Sequence, residues 1–292
     1  MILLTGAAGK TGQSIIEALS KRKETVRALV HRRDQVSAIQ SLGVNDVLVG
    51  DLCDKLCMDQ AVQGVRAVYH LAPNISPDEE LIGATIIEAA RSANVEHFIF
   101  HSVLHPQIES MPHHFQKLRV EEKLFESCLS FTILQPTVYM QNILAGWNQI
   151  VQNGKYRVPY SLDTRVSLVD LKDVAEAAAI ILTEPGHEGA SIELVGTPAL
   201  CQMEIAEIIQ EQLGQPVVAE VVPLEEWERN ARASGLGEYQ VLTLIKMFSY
   251  YERYGFIGNS NQLSYLLHRQ PASLAEFVGR TLHEREYANR DN

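Results

Sequence analysis

The sequence predicts an α/β protein: a doubly wound parallel sheet with a smaller C-terminal α/β lobe. Three observations carry that expectation. Short apolar runs at residues 2–4, 25–30, 46–49, 67–71, 97–101 and 130–134 alternate with helix-length segments, and the first run lacks polar alternation, as a buried parallel strand does. Glycines 6, 9 and 12 stand between the first run and the first helical segment. Beyond Asn153 the alternation becomes less regular, with no internal repeat and no low-complexity linker. Alternating strand and helix with right-handed crossovers gives the doubly wound sheet. The expected division is residues 1–153 for the first body and 154–292 for a lobe wrapped partly back onto it.

The first dozen residues organise the rest. Ile2, Leu3 and Leu4 lead into Thr5-Gly6-Ala7-Ala8-Gly9-Lys10-Thr11-Gly12, and a periodic helical segment follows at 14–20. A strand, a glycine turn and a helix in that order open a dinucleotide-binding βαβ unit of the Rossmann type. Gly6 permits the tight turn, Gly9 lets the backbone approach a pyrophosphate, and Gly12 lets the helix lie close on the strand. Free N–H groups and the positive end of the helix dipole attract the phosphates. The spacing is G-x-x-G-x-x-G, the variant typical of short-chain dehydrogenases, especially their extended and atypical branches.

At the end of the second strand stands His31-Arg32-Arg33-Asp34. An NAD-binding protein places an acidic residue about 20 positions after its glycine loop to hold the ribose 2′-hydroxyl. Basic side chains stand there instead, and arginine suits a phosphate. NADP(H) is therefore the preferred cofactor, with NAD(H) possible. Asp34 also fits as the cap of the next helix. After the third strand, Asp51 is placed to accept from an adenine amino group and Leu52 to cover the ring, although Asp51 equally fits as a helix cap. Leu71, Ala72 and Pro73 end the fourth strand and would run under the nicotinamide ribose. A crossover helix at 77–93 carries Leu81, Ile82, Thr85, Ile86 and Ala89 on one face. In the helix at 113–126, His113 and Lys117 lie four residues apart and share a face. Pro136 stops the sixth strand, and a new helix is expected to begin beyond it.

In the second half, strands are expected at 166–169, 191–195 and 217–222, with helices at 172–182 and 203–213 and helical segments to Tyr254. Ser273 and Glu276 form a capping pattern for the last helix. A charged, frayed tail is expected from Glu284.

Composition narrows the function classes. With 25 basic residues against 36 acidic ones, the net charge of −11 argues against a nucleic-acid-binding surface. No apolar run reaches membrane-spanning length, and Met1 leads directly into the first strand, so neither a membrane span nor a signal peptide fits. Cys53, Cys57, Cys128 and Cys201 complete no zinc site and read as reduced thiols of a cytoplasmic protein.

Taken together the residues resemble the NmrA-like family, an atypical branch of the short-chain dehydrogenases. The similarity lies in residues 5–12, Val26-Arg27-Ala28-Leu29-Val30, Gly50-Asp51-Leu52 and Thr132-Ile133-Leu134-Gln135-Pro136. It continues through Val169-Asp170, Asp173-Val174-Ala175, Gly196, Glu204-Ile205-Ala206, Tyr254-Gly255-Phe256 and Gly258-Asn259. The resemblance implies a Rossmann domain that prefers NADP(H), under a lobe that forms a cleft over the nicotinamide. It implies one of two functions. The first is an NADPH-dependent oxidoreductase acting on a quinone-like or other aromatic electrophile. The second is a catalytically silent NADP(H)-binding regulator working through a protein partner. By the resemblance Lys117 occupies the catalytic lysine position and would touch the nicotinamide ribose, while His113 replaces the usual tyrosine. With an unperturbed pKa of about 6.5, His113 would protonate a reduced oxygen near neutral pH. Ser102 stands one place before the expected serine position, near Val103, and with Pro136 it joins the cofactor-contact set. His31 stands where many relatives carry arginine, and Gln135 replaces the usual arginine before Pro136. Tyr139, Met140 and Asn142 would line the cleft and contact the substrate, or pack in the core.

Overall fold

A computed structural model of the chain describes residues 1–290, the last five (286–290) as helix backbone alone. The first part alternates as expected: β1 Ile2–Leu4, α1 Lys10–Lys21, β2 Val26–Val30, α2 Val36–Gln40, β3 Asp46–Val49 and α3 Lys55–Ala61. It continues with β4 Ala67–His70, α4 Glu79–Ser92, β5 His97–His101, α5 Pro112–Glu126 and β6 Phe131–Pro136. Beyond it come β7 Val138–Tyr139, α6 Trp147–Asn153, β8 Lys155–Val158, β9 Leu168–Val169, α7 Leu171–Thr183 and β10 Ala190–Leu194. The chain closes with α8 Gln202–Leu213, β11 Val218–Val221, α9 Leu224–Ala233, α10 Glu238–Tyr254, α11 Asn261–Leu267 and α12 Leu274–Arg290.

The central sheet has the order β10-β6-β5-β4-β1-β2-β3. From β6 to β3 every registered pair is parallel, with Leu4 beside Tyr69 and Ala28, and His101 beside Leu134. The order reverses between β1 and β4, the switch point at which ligands bind outside the carboxyl ends of the strands. One face of this sheet buries Leu3, Val68, Phe98 and Phe100 with Ile86 of α4 and Val120 and Leu124 of α5. The two helices approach closely because residue 83 is glycine: a Cβ there would meet both Val120 methyls at 2.6 Å.

Two compact units result. One holds Met1–Pro136 with Val174–Glu193; the other holds Thr137–Asp173 and the chain from Leu194 onward. Residues 137–153 therefore group with the second unit, whereas the sequence places a cut after Asn153. In the second unit β7 pairs with β9 and β11 with β8, all parallel. Its buried Asp170 accepts from Gln141 Nε2 at 2.7 Å and is held by the Arg280 guanidinium. Asp173 accepts from Arg269 and from the Ala272 amide, both at 2.7 Å. Gly255, at φ +69°, lets Phe256 N–H reach the Arg165 carbonyl at 2.9 Å; a Cβ at 255 would lie 2.8 Å from that carbonyl. These contacts explain physically three of the sequence motifs on which the resemblance rests.

The structure corrects several expectations. Leu81 is 55% exposed, so the buried stripe of α4 is carried by Ile82, Ile86 and Ala89. No helix starts at once after Pro136; Val138–Tyr139 is extended because it pairs with Leu168–Val169. The cap of α3 is Asp54, whose carboxylate accepts from Leu56 N–H, while Asp51 accepts from Cys53 N–H two residues on. Asp34 lies inside a 3-10 turn, and Gln35 is the side chain that accepts the amides of His31 and Arg32 just before it. The capping pair at α12 forms as read, with Ser273 N–H donating to Glu276 at 2.7 Å. That helix continues through Arg290 rather than fraying from Glu284, and residues 291–292 lie outside the described part. Among the described residues no helix is long and apolar enough to cross a membrane, and no His, Cys, Asp and Glu group could hold a metal ion.

Candidate functional site

The glycine loop meets the physical demands of a phosphate cradle. Gly6 has φ +61°, and a Cβ there would lie 2.6 Å from the Leu71 carbonyl. At Gly12 a Cβ would sit 2.5 Å from the Gly6 carbonyl and 2.7 Å from Ala7 Cα, so the helix meets the turn that follows β1 only through glycine. Gly9 differs. A Cβ there would find only the Gly6 carbonyl at 3.5 Å, an ordinary contact, so the protein's own packing does not require the glycine. It leaves bare backbone facing outward, the surface a pyrophosphate needs. Gly9 caps α1 with no side-chain acceptor, and no acidic residue occupies the first turn. The amides at this helix start are thus open to an anion. Buried Thr5 fixes the base of the loop by accepting from Leu71 N–H at 2.8 Å.

The charges at the end of β2 are loose by comparison. His31, Arg32 and Arg33 are exposed. Arg32 is paired with Asp34 at 3.1 Å, and Gln35 Oε1 accepts the amides of His31 and Arg32 at 3.1 and 3.0 Å. Leu71 is half-buried, Ala72 buried and Pro73 exposed.

Around α5 the polar groups are buried. Lys117 Nζ donates to Glu79 Oε1 at 2.7 Å and to the His101 carbonyl at 3.4 Å, and lies 5.4 Å from the centre of the Phe100 ring. Glu79, in the first turn of α4, is 2% exposed. His113 is half-buried, with a buried Nδ1 that has no partner. Burial first, then the Lys117 charge, pushes its pKa down to about 4. His113 is therefore neutral at physiological pH, and a charged imidazolium donor, as its ordinary pKa suggests, is not what this site holds. The neighbouring His114 is 1% exposed, and burial pushes its pKa to about 3. One turn beyond Lys117, buried Glu121 takes the Ser102 hydroxyl and accepts from Gln135 Nε2 at 3.0 and 3.2 Å. The amide that replaces the usual arginine thus satisfies a carboxyl group. Pro136 is buried, and its carbonyl receives Leu104 N–H at 2.9 Å.

The profile of the NmrA-like family matches residues 1–278. The chain belongs to the NmrA-like family. It is 29% identical over 239 residues to an NAD(P)H azoreductase of Xenophilus azovorans, covering 82% of each chain. Quinone oxidoreductase 2 of Escherichia coli K12 is 25% identical over 280 residues, 95% of this chain and 97% of that one. The crystal structure of the Escherichia coli NADPH-dependent quinone oxidoreductase with NADPH superposes with a TM-score of 0.84 at 25% identity, covering 97% and 100% of the two chains.

In this NmrA-like protein the first unit contains the glycine loop, the β2 charges, Ser102, His113, Lys117 and Pro136. Tyr139, Met140 and Asn142 belong to the second unit. There Met140 is fully buried and packs in the core, Tyr139 is half-buried and Asn142 exposed. Five polar residues escape the sequence reading. Glu79 and Glu121 are two. Another is His70, whose Nδ1 lies 3.0 Å from Thr5 Oγ1 and whose buried Nε2 has no partner; the last two are Tyr69 and His101, paired at 2.6 Å. The only sequence signal for Glu121 is its spacing of four from Lys117 on an amphipathic helix.

Proposed function

We propose that this protein is an NADPH-dependent oxidoreductase that reduces a quinone-like or other aromatic electrophile by hydride transfer. The observation that carries the reading is a half-buried lysine, tied to a buried glutamate, in the same unit as an open glycine cradle. Lys117 is held by Glu79 and the His101 carbonyl, at the carboxyl end of β5. The bound dinucleotide supplies the hydride. The chain's own residues bind and orient it. Gly6 to Gly12 and the start of α1 take the pyrophosphate, and Arg32 and Arg33 take the 2′-phosphate that favours NADPH over NADH. Asp51 and Leu52 border the adenine, Leu71 to Pro73 the nicotinamide ribose, and Ser102 and Pro136 the nicotinamide. Lys117 donates to the ribose hydroxyls and adds positive potential where negative charge develops on the acceptor. His113 acts there as a neutral hydrogen-bonding group. Quinone-like acceptors need little acid assistance, so the missing tyrosine does not prevent turnover. The first unit serves the dinucleotide, and Tyr139 and Asn142 of the second unit serve as contacts for the acceptor. We place the protein in the cytoplasm, on its four free thiols.

The test is NADPH consumption by the purified protein across a panel of quinones and azo dyes, with NADH as control. Turnover that falls at least about a hundredfold in Lys117→Ala, the scale of general acid–base and electrostatic contributions, supports the reading. Tight NADPH binding with no acceptor reduced would replace it with a nucleotide-sensing regulator acting through a protein partner.

A further inference from the structure

The buried polar groups of α5 are unevenly matched. Lys117 is paired with Glu79 of α4, leaving Glu121 of the same helix face outside every described ion pair. Glu121 is 5% exposed. What faces it is Ser102 after β5, Gln135 of β6 and, one turn away on its own helix, Lys117, which is already paired with Glu79 of α4. The nearest ammonium is thus committed to Glu79, and Glu121 lies buried without an ion-pair partner, where an uncompensated charge is costly. Burial raises the Glu121 carboxyl above the ordinary glutamate range, against the opposing pull of Ser102, Gln135 and Lys117.

The Ser102 hydroxyl has one proton to give. When Glu121 is ionised, that proton is committed to Oε1, and Ser102 offers a ligand only lone pairs. When Glu121 takes a proton from solvent at Oε1, the new O–H donates to Ser102 Oγ, and the serine proton is released for another acceptor, although Ser102 itself is 2% exposed. We propose that Glu121 is a positioning residue whose protonation switches Ser102 from hydrogen-bond acceptor to donor toward a ligand oxygen, and that Gln135 makes this possible. An arginine at 135 would hold the carboxylate ionised through a charge-assisted bidentate pair. A neutral amide bonds both oxygens without adding a cation. The functional half of the proposal rests on Ser102 bordering the nicotinamide end of the dinucleotide.

The experiment separates the two halves. Infrared difference titration of the full-length protein, with no acceptor present, reports the Glu121 carboxyl directly. The wild type should show a protonated-carboxyl band that persists above the ordinary glutamate titration and that Glu121→Gln lacks. Gln135→Arg should move its titration to lower pH by about one unit or more. A wild-type spectrum without that band overturns the proposal, as does an unmoved titration in Gln135→Arg. NADPH affinity measured against pH then tests Ser102. It should weaken as Glu121 ionises in the wild type and lose that dependence in Glu121→Gln, whose amide is a fixed donor to Ser102. The same pH dependence in both proteins overturns the switch. Because neither readout requires turnover, a protein that reduces no acceptor leaves this test intact. Should Glu121→Gln fail to fold, the Gln135→Arg titration still decides.

Discussion

The two charged regions of the first unit are built on opposite principles. At the end of β2, Arg32 and Asp34 form an ion pair whose side chains are 61% and 67% exposed. Near the end of β5, the Lys117 and Glu79 side chains are 16% and 3% exposed. Both are lysine- or arginine-to-carboxylate pairs of ordinary length, but solvent screens the first and not the second. The exposed pair costs little to break, so an incoming phosphate competes with Asp34 for Arg32 on favourable terms. The buried pair holds its ammonium in one place whether or not a ligand is bound. Discrimination between cofactors suits the loose region, and preorganised electrostatics suits the fixed one.

Breaking the buried pair should give the largest effect. Glu79→Ala leaves Lys117 without its carboxylate and should cost about 3–5 kcal/mol in urea unfolding; a loss below about 1 kcal/mol would erase the contrast between the regions. Acid is the next lever. His70, His101 and His114 are held near pKa 3 and His113 near 4, chiefly by burial. The unfolded chain takes protons below the ordinary value of about 6.5 that the folded chain refuses. Stability is therefore present above that pH and falls as the pH drops, by up to about 1.4 kcal/mol per unit for each histidine. Unfolding at neutral pH and at about pH 5 should show the loss, and His70→Leu should reduce it. Glu121 works in the opposite sense: its raised pKa gives stability at low pH that is lost as the pH rises through it. The exposed region should respond in binding rather than in folding. Arg32→Ala with Arg33→Ala should weaken NADPH by about tenfold or more while sparing NADH; equal losses would remove these arginines from the phosphate. Smallest of all, Asp34→Asn should change stability by less than about 1 kcal/mol, yet tighten NADPH by freeing Arg32, as titration of both nucleotides would show.

How much of this was readable from the residues depends on range. The glycine loop is a local signal, because the positive φ of Gly6 and the steric demand on Gly12 are set within one strand–turn–helix unit, although the close approach of Gly6 to the Leu71 carbonyl is long-range. The Ser273–Glu276 capping pair is local too. Lys117 is legible through the family resemblance and shares a face of α5 with His113, but its partner is not legible: Glu79 lies 38 residues away and reaches it only because α4 packs on α5. Arg280 and Asp170 are 110 residues apart. His113 shows the same limit in its chemistry, since residue type gives the ordinary imidazole pKa while the surrounding burial sets the actual one.

By itself, then, the sequence determined the alternating fold, the dinucleotide fingerprint, the basic end of β2 and the helix that carries Lys117. Each is written in spacings of a few residues, the range over which turns, caps and helical faces are fixed. The tertiary structure decided which charges are paired, which histidines stay neutral and that Ser102, Glu121 and Gln135 meet. Their meeting follows from β5 lying beside β6 with His101 next to Leu134, and from the burial that α5 imposes on them. Desolvation acts on that assembled environment, which no single stretch of the chain contains.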